Sequence, residues 1–377
     1  MSFFDEALRD TAIYIDLDAL RHNIRNIKKL IGPQTALNAV IKADGYGHGA
    51  VKIAKTIMES GGDYLSVATL PEGMELRSEY DYPVLIMGHT PDRYLHHAVE
   101  NDLTLTVFTE EQAAVLNEIA GTLKKKARVH LKVDTGFHRL GMDACEDPAT
   151  VAEAFNRICA LPFLDVEGIY SHLALAGEEE DMAQFRLFRA VADAVQCSGM
   201  KYRHIADSIA AVDYPDFRLD MVRAGALIYG MKGFKRGSVD VKQIMTFKTR
   251  ISQLHRIPAG SGVSYDYLWR AEKDSIIATL PFGYADGYPR NMRGKGYVTV
   301  KGVTCPLVGV LCMDQVMADV TALGDDVKAG DEAVIYGSGV NEMTVAEAAA
   351  LASTNKNELL SRITRRPRKI YVDEKRE

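Results

Sequence analysis

Apolar and polar residues follow two different patterns along the 377-residue chain. In the first 237 residues, short runs rich in β-branched residues alternate with stretches in which apolar residues recur every three or four positions. The runs predict buried strands and the stretches predict amphipathic helices. The eight predicted strands are Leu37–Lys42, Tyr64–Ala68, Pro83–Met87, Leu103–Val107, Arg128–Val133, Val166–Ser171, Tyr202–Ile205 and Met221–Tyr229. The clearest predicted helices are Val51–Met58, Glu110–Ala120, Val151–Ala160 and Asp181–Gln196. Eight strands alternating with helices predict a parallel (β/α)8 barrel of the TIM type.

An open, doubly wound sheet is the alternative fold for such an alternation. The dinucleotide-binding version of that fold carries Gly-x-Gly-x-x-Gly directly after its first strand. No such motif follows Leu37–Lys42. The barrel is therefore the better prediction.

The pattern changes after Gly237, where apolar segments become short and are bounded by turn residues. These segments are Thr246–Leu254, Ser275–Leu280, Tyr297–Val300, Cys305–Val310, Val316–Val320 and Glu332–Ile335, followed by one helical stretch, Val345–Leu351. They predict a mainly β domain. We predict two domains, a barrel over residues 1–237 and a mainly β C-terminal domain over residues 238–377.

Composition narrows the classes of partner. A formal charge of −6 disfavours nucleic acid, which binds basic surfaces. The basic cluster at residues 365–369 is interpreted as a solvated end segment.

No apolar run approaches the ~20 residues that span a bilayer, and no signal peptide opens the sequence. The five cysteines are odd in number and show no CxxC spacing, so we predict buried thiols in a reducing cytoplasm and neither a disulfide framework nor a metal site.

Strand ends are where a barrel enzyme carries its chemistry. Lys42 closes the first predicted strand and precedes the glycine-rich residues 43–49. A desolvated lysine amine there loses its proton readily and can form an imine with an aldehyde. Arg139, after the fifth strand, could clamp a carboxylate. His172 and His204, at the ends of strands six and seven, could hydrogen-bond each other.

A phosphate site is predicted after strands seven and eight, where barrels of this type commonly hold one. Ser208 offers a hydroxyl, and Gly225 and Ala226 offer backbone N–H groups. A phosphate site together with the imine-forming Lys42 predicts that the chain binds pyridoxal 5'-phosphate.

With these motifs in place, the chain resembles the alanine racemase family over nearly its whole length. The resemblance implies that Lys42 holds pyridoxal phosphate and that the Tyr46 hydroxyl meets its phosphate. It implies a carbamylated Lys132 that braces Arg139, which contacts substrate and cofactor. Arg223 would face the pyridine nitrogen, backed by His172 and then His204.

The resemblance also implies a second base and a homodimer. Lys42 would serve one face of the substrate Cα, and Tyr265 would serve the other from the partner subunit. Residues 312–315 resemble a cross-subunit motif, in which the Met313 backbone meets the substrate carboxylate and Asp314 follows it. Tyr284 would narrow the entrance. The implied function is interconversion of L- and D-alanine, which supplies a peptidoglycan precursor.

Three positions depart from the family pattern. Asp207 stands where asparagine usually precedes the phosphate-binding serine, Thr364 stands at a position often held by tyrosine, and Val310 stands where the entrance often has arginine. These departures leave a racemase that prefers serine, or accepts several amino acids, as an alternative. A pyridoxal-phosphate-dependent decarboxylase is disfavoured because neither a histidine-glycine-serine turn nor a glycine triplet is seen. A non-catalytic pyridoxal phosphate carrier is a further alternative, although such proteins resemble the barrel half alone.

Overall fold

A computed structural model describes residues 8–373 of the chain. Its strands are β1 (Ala12–Asp16), β2 (Ala36–Val40), β3 (Tyr64–Val67), β4 (Val84–Ile86), β5 (Thr104–Val107), β6 (Ala127–Asp134), β7 (Met142–Asp143), β8 (Leu164–Tyr170), β9 (Tyr202–His204), β10 (Met221–Ala224), β11 (Met245–Arg250), β12 (Gln253–Ile257), β13 (Gly262–Val263), β14 (Trp269–Arg270), β15 (Ser275–Leu280), β16 (Tyr297–Val300), β17 (Val303–Val308), β18 (Val316–Asp319), β19 (Glu332–Tyr336) and β20 (Arg368–Val372). Its helices are α1 (Leu17–Ile31), α2 (Lys42–Tyr46), α3 (Ala50–Glu59), α4 (Leu70–Arg77), α5 (Leu95–Glu100), α6 (Glu110–Thr122), α7 (Pro148–Cys159), α8 (Glu178–Ala194), α9 (Ala210–Asp213), α10 (Val345–Leu351) and α11 (Lys356–Ser361).

The described residues form two compact units. The first contains residues 8–19, 46–49 and 243–373, and the second contains Leu20–Gly45 and Ala50–Lys242. We call the second the barrel unit and the first the β unit. Within residues 8–373, no helix combines the length and apolar character that a membrane crossing requires. All five cysteines are free thiols, as predicted, but the expectation that they are buried is confirmed only for Cys305: Cys145 is exposed, and Cys159, Cys197 and Cys312 are partly exposed.

The barrel unit is a ring of eight parallel strands in the order β10-β2-β3-β4-β5-β6-β8-β9. Backbone bonds from Asp220 N to Arg203 O (3.2 Å) and from Arg223 N to Ala206 O (3.1 Å) join β10 to the β9 side. Every residue of β3, β5 and β10 is buried, as expected for strands covered on both faces. The prediction of a (β/α)8 barrel is confirmed, and each of its eight predicted strands is present.

One predicted strand ends earlier than its apolar run. The run Met221–Tyr229 is β10 only as far as Ala224, and Ala226–Tyr229 forms a 3₁₀ turn. Gly225 lies between them with φ −102° and ψ −94°, which breaks the extended conformation. The periodicity of apolar residues could not reveal this change, because a short apolar run is compatible with either structure.

The β unit is built on a nine-stranded sheet in the order β12-β15-β18-β17-β16-β19-β11-β1-β20. All neighbours in it are antiparallel except β1 and β20. Its core contains a group of packed aromatic rings, Phe247, Phe282, Tyr288 and Tyr336. The prediction of a mainly β C-terminal domain is confirmed. The interpretation of residues 365–369 as a solvated end segment is wrong in part: Arg365 is exposed, but Arg368 and Lys369 belong to strand β20, which pairs with β1.

Candidate active site

Lys42 directly follows β2 and opens an unusual turn. Ala43, Asp44, Gly45 and Tyr46 all have positive φ, between 52° and 62°. A left-handed conformation costs about 1–2 kcal/mol for each residue other than glycine. Such strain concentrates at functional sites and persists only when neighbouring groups hold it. Here the Ala50 N–H donates to the Asp44 carboxylate at 2.9 Å.

Glu72 is the second group that holds this turn, and the sequence analysis missed it. Its Oε1 accepts the Ala43 N–H at 2.7 Å, and its Oε2 accepts the N–H groups of Ala68 (2.8 Å) and Thr69 (3.0 Å). Thr69 and Glu72 form a capping box at the start of α4. A Thr-x-x-Glu spacing is the sequence signal of that motif and could have identified the residue.

The surroundings of Lys42 favour its neutral amine. Burial is the largest effect that lowers its pKa, and the Arg139 guanidinium lowers it further, while the Glu72 carboxylate opposes both. A neutral amine is the nucleophilic form of lysine. The predicted reactivity of Lys42 thus has a physical basis in the barrel unit.

A set of hydrogen-bond donors lies at the end of the strand next to Lys42. Strand β10 pairs with β2, and Ala224 aligns with Ala39. The buried Ser208 hydroxyl oxygen accepts the N–H groups of Gly225 (2.9 Å) and Leu227 (3.2 Å), where the 3₁₀ turn begins. A hydroxyl beside several N–H groups suits a phosphate. A phosphate site beside a lysine whose pKa is lowered by burial fits pyridoxal phosphate.

Asp207 has a structural role that either aspartate or asparagine can fill. Its Oδ1 accepts the N–H groups of Ile209 (2.9 Å) and Ala210 (3.0 Å) at the start of α9. Asparagine could make the same two bonds through its carbonyl oxygen. Burial raises the pKa of the Asp207 carboxyl, while the Ala210 N–H bond and the Arg223 charge oppose that shift.

Replacing this carboxylate with an amide, Asp207→Asn, is expected to tighten phosphate binding. The variant keeps both backbone bonds and removes a negative charge beside Ser208. A charge contact is worth about 1 kcal/mol in water-like surroundings, so the Kd should fall roughly fivefold. Titration with pyridoxamine 5'-phosphate, which cannot bond to Lys42, measures the change. Asp213→Asn, which removes a carboxylate bonded to backbone N–H groups of residues 235–237, is the matched control. An unchanged or higher Kd for Asp207→Asn alone would contradict the expectation.

Arg223 is buried at the end of β10 and makes contacts on all sides. Its Nη2 donates to Ser171 O (2.7 Å) and Ile205 O (3.1 Å), and its Nη1 donates to His204 Nδ1 (2.8 Å). Nη2 also lies 3.3 Å from His172 Nδ1. Burial lowers its pKa to about 10, so the guanidinium stays charged near neutral pH. Burial and the Arg223 charge lower the pKa of His172 to about 2, so that imidazole is neutral.

The two predicted histidines meet at Arg223. Each contacts the guanidinium directly, and in the described part of the chain their rings share no hydrogen bond. The expectation that His172 and His204 bond each other is therefore wrong. The reason is that Arg223 lies within reach of a ring nitrogen of each.

Lys132 is buried on β6, close to an aromatic ring. Its Nζ lies 4.8 Å from the ring centre of Tyr170 and donates to Val133 O at 3.2 Å. Burial and the Arg223 charge hold its pKa well below the usual value. Arg139 is exposed, and its guanidinium lies 4.4 Å from the Phe137 ring centre. Among the described residues, no carboxylate lies within ion-pair distance of Arg139.

The remaining predicted residues lie in the β unit. Tyr265 and Met313 are 66% and 52% exposed, so neither is a core residue. Two bonds bring their segments and Tyr284 together: the Ser264 hydroxyl donates to Val310 O at 2.7 Å, and Tyr284 N donates to Cys312 O at 3.3 Å. Three residues around Tyr265 have positive φ, namely Ser264, Asp266 and Tyr267. Strained backbone thus surrounds a surface tyrosine, as is common at functional sites.

Four further positions belong to the β unit. The Thr364 hydroxyl donates to Ala285 O at 2.9 Å. Asp314 forms an ion pair with Arg366 at 2.8 Å. Val310 and Tyr46 are buried, at 7% and 8% exposure. Thr364 and Asp314 are thus fixed next to the segments that carry Tyr284 and Met313.

An eight-stranded parallel barrel with a strand-end lysine of lowered pKa, accompanied by a unit of mainly antiparallel sheet, defines a two-domain barrel protein with an enzyme-like site. Family models extend this description. The model described as "Alanine racemase, N-terminal domain" matches residues 15–233, and the one described as "Alanine racemase, C-terminal domain" matches residues 244–371. The chain belongs to the alanine racemase family.

Individual relatives agree over nearly the full length. The alanine racemase of Desulforamulus reducens is 38% identical over 367 residues, covering 95% of this chain and 98% of its own. The solved alanine racemase of Clostridium difficile 630 superposes with a TM-score of 0.91 at 34% identity, covering 98% of this chain and 97% of its own. A structure of that protein in complex with cycloserine has a TM-score of 0.89 at 33% identity, covering 98% of this chain and 97% of its own. A carrier resembling the barrel half alone does not fit these matches.

Proposed function

We propose that the chain is an isomerase that interconverts L- and D-alanine with pyridoxal 5'-phosphate as cofactor. The observation that carries the proposal is the similarity, along nearly the whole chain, to proteins named alanine racemase. The barrel unit adds chemical support, because burial lowers the pKa of its strand-end lysine, which follows the strand next to the Ser208 donors.

The cofactor would be bound by residues at the ends of the barrel strands and by Tyr46. Lys42 would hold the cofactor through Nζ, and Ser208 with the N–H groups at Gly225 and Ala226 would hold its phosphate. Tyr46 would add a hydroxyl to the phosphate, as the family resemblance implies. When bound, pyridoxal phosphate withdraws electrons from the substrate Cα–H bond and makes that proton removable.

Arg223 and His172 would set the electronic character of the site. The Arg223 guanidinium stays charged and would donate a hydrogen bond toward the ring nitrogen, which leaves no space there for a proton. A ring nitrogen without a proton is a weaker electron sink, and this restrains side reactions such as transamination and decarboxylation. His172, held neutral, would back Arg223 without adding charge.

Two bases would move the proton. Lys42 removes or returns it on one face of Cα, and Tyr265 does so on the other. Arg139 and the Met313 backbone would bind the substrate carboxylate, and Tyr284 would narrow the entrance. The exposure of Tyr265 and Met313 supports a homodimer in which each subunit completes the other's site.

Lys132 is proposed to carry a carbamate that braces Arg139. Its low pKa supplies the neutral amine that carbon dioxide requires, and conversion to an anion would provide Arg139 with a partner. We expect a carbamate signal in ¹³C NMR spectra of protein equilibrated with ¹³C-bicarbonate. That signal should be absent from Lys132→Ala. It should be retained in the control variant Lys126→Ala, in which the substitution removes an exposed lysine elsewhere in the chain. A spectrum without it in wild-type protein would exclude the modification.

The test of the function is a racemisation assay on purified protein with L-alanine and L-serine, with and without added pyridoxal phosphate. Faster turnover of alanine, dependent on the cofactor, supports the proposal. Clearly faster turnover of serine would favour the competing proposal of a serine racemase, for which the small Thr364 is the supporting observation. No turnover of either amino acid would overturn both.

A further inference from the structure

Four buried side chains form a line through the core of the barrel unit. They come from four different strands: Glu167 from β8, His130 from β6, His204 from β9 and Arg223 from β10. His130 and His204 are fully buried, and Glu167 and Arg223 are nearly so. Buried charges are costly unless they are paired or hydrogen-bonded, so this line requires an explanation.

Two hydrogen bonds and one longer contact connect the four side chains. Arg223 Nη1 lies 2.8 Å from His204 Nδ1, and His204 Nε2 lies 2.9 Å from His130 Nδ1. His130 Nε2 lies 3.6 Å from Glu167 Oε1, beyond hydrogen-bond distance, and has no hydrogen-bond partner among the described residues. The same carboxylate oxygen accepts hydrogen bonds from Tyr64 (2.6 Å) and Thr104 (3.1 Å).

Only one arrangement of protons satisfies these contacts. A guanidinium can only donate, so His204 Nδ1 must accept and its proton must be on Nε2. His204 Nε2–H then donates to His130 Nδ1, which places the His130 proton on Nε2, facing Glu167. A carboxylate can only accept, so the line ends there. Both imidazoles are therefore neutral, in the same tautomer, between a cation and an anion.

The electrostatics of the barrel unit agree with this assignment. Burial lowers the pKa of both His130 and His204. Burial opposes ionisation of Glu167, but contacts with His130 and Tyr64 outweigh it and lower the pKa of this carboxyl to about 2. The line thus carries one positive and one negative charge near neutral pH.

The surrounding backbone is shaped to hold the two rings. A Cβ atom at Gly168 would lie 2.6 Å from His130 Nδ1, so only glycine leaves room for that ring. The register between β6 and β8 shifts between Val129 and His130. The Tyr170 ring stacks on His204 at 4.8 Å with an interplanar angle of 6°.

We propose that Glu167 is a positioning residue for the reaction: through His130 and His204 it fixes both imidazole tautomers and so orients the Arg223 guanidinium. This inference rests on the proposed function, in which Arg223 faces the cofactor ring nitrogen. Glu167 contacts neither substrate nor cofactor in this scheme. Its effect passes through the two imidazoles.

The first experiment needs no variant. Histidine-selective ¹⁵N NMR of the holoenzyme reports which nitrogen of each ring is protonated, and His130→Gln identifies the His130 signals. We expect both rings to be neutral with the proton on Nε2 from pH 6 to 8. A proton on Nδ1 of either ring, or an imidazolium, would overturn the proposal.

The second experiment removes the charge with Glu167→Gln, which preserves the shape of the side chain. We expect a roughly tenfold lower kcat with the KM for alanine within about twofold, because Arg223 does not bind the substrate. The visible absorption band of the bound cofactor should shift. Thr104→Val, which removes a neighbouring hydroxyl and leaves the carboxylate, should change neither readout, and Glu167→Asp should restore part of kcat.

Folded Glu167→Gln protein with wild-type kcat and an unshifted absorption band would overturn the proposal. If Glu167→Gln does not fold, the tautomers of the wild-type protein still decide the question. A wild-type protein that racemises no amino acid would contradict the proposed function. In that case the tautomers and the absorption band would still test the role of Glu167 separately.

Discussion

Lys42→Ala protein is expected to lose racemisation almost completely, by about 10³-fold or more in kcat. The substitution removes both the cofactor attachment and one of the two bases, and a single general base contributes about 10²–10⁴-fold. Activity would be measured in both directions by chiral chromatography. In wild-type protein, borohydride reduction followed by peptide mapping should label Lys42.

Two controls separate the chemistry of Lys42 from its surroundings. Lys52→Ala removes an exposed lysine of α3, close in sequence, and should retain wild-type activity. Lys42→Arg keeps a positive charge, but a guanidinium does not give up its proton, so this variant should also be inactive. A label on another lysine, or Lys42→Ala activity within tenfold of wild type, would be incompatible with the assignment.

Lys42 also illustrates what the sequence can predict. Its position at the end of an apolar strand follows from the pattern alone, and so do the eight barrel strands. Its reactivity depends on burial and on the Arg139 and Glu72 charges, which are distant in sequence. The left-handed turn after Lys42 was not predicted either, because it requires Ala43, Asp44 and Tyr46 to adopt a conformation that these residues disfavour.

Two of the strands that the sequence analysis missed are held by distant partners. Strands β1 and β20 pair with each other from opposite ends of the chain. The segment Thr246–Leu254, predicted as one unit, divides into β11 and β12 because Ile251 and Ser252 interrupt the extended conformation. These two strands lie far apart in the order of the sheet, although they are adjacent in sequence. Local patterns carry no information about such pairings.

Buried polar residues were the hardest part of the site to predict. His130 lies within β6 and Glu167 within β8, among alternating apolar residues. Alternation of this kind is usually interpreted as one buried and one solvated face. In this barrel both faces are covered, so polar residues that appear solvated in the pattern are buried and paired. Their partners are identifiable only once the strand order is known.

Tyr265→Phe is expected to lower racemisation about 10³-fold in both directions. The two enantiomers of alanine have equal free energy, so the loss in kcat/KM must be the same for each. Exchange of the Cα proton with solvent deuterium should distinguish the faces: the enantiomer whose proton faces Lys42 should still exchange, and the other should not. Tyr267→Phe, at a second exposed tyrosine two residues away, is the matched control and should behave as wild type.

Mixing two inactive variants tests whether Tyr265 acts across the dimer. Suppose that Lys42→Ala and Tyr265→Phe subunits exchange freely. Half of the dimers are then mixed, and each mixed dimer has one site with both Lys42 and Tyr265 intact if the tyrosine comes from the partner. The mixture should therefore recover about a quarter of the wild-type activity.

If both bases come from one chain, every site in the mixture carries a substitution and activity stays at the level of the separate variants. That result, obtained with subunit exchange verified by mass spectrometry, would contradict the shared site. It would leave Tyr265 as a base within its own subunit, because the Tyr265→Phe exchange experiment tests that role independently.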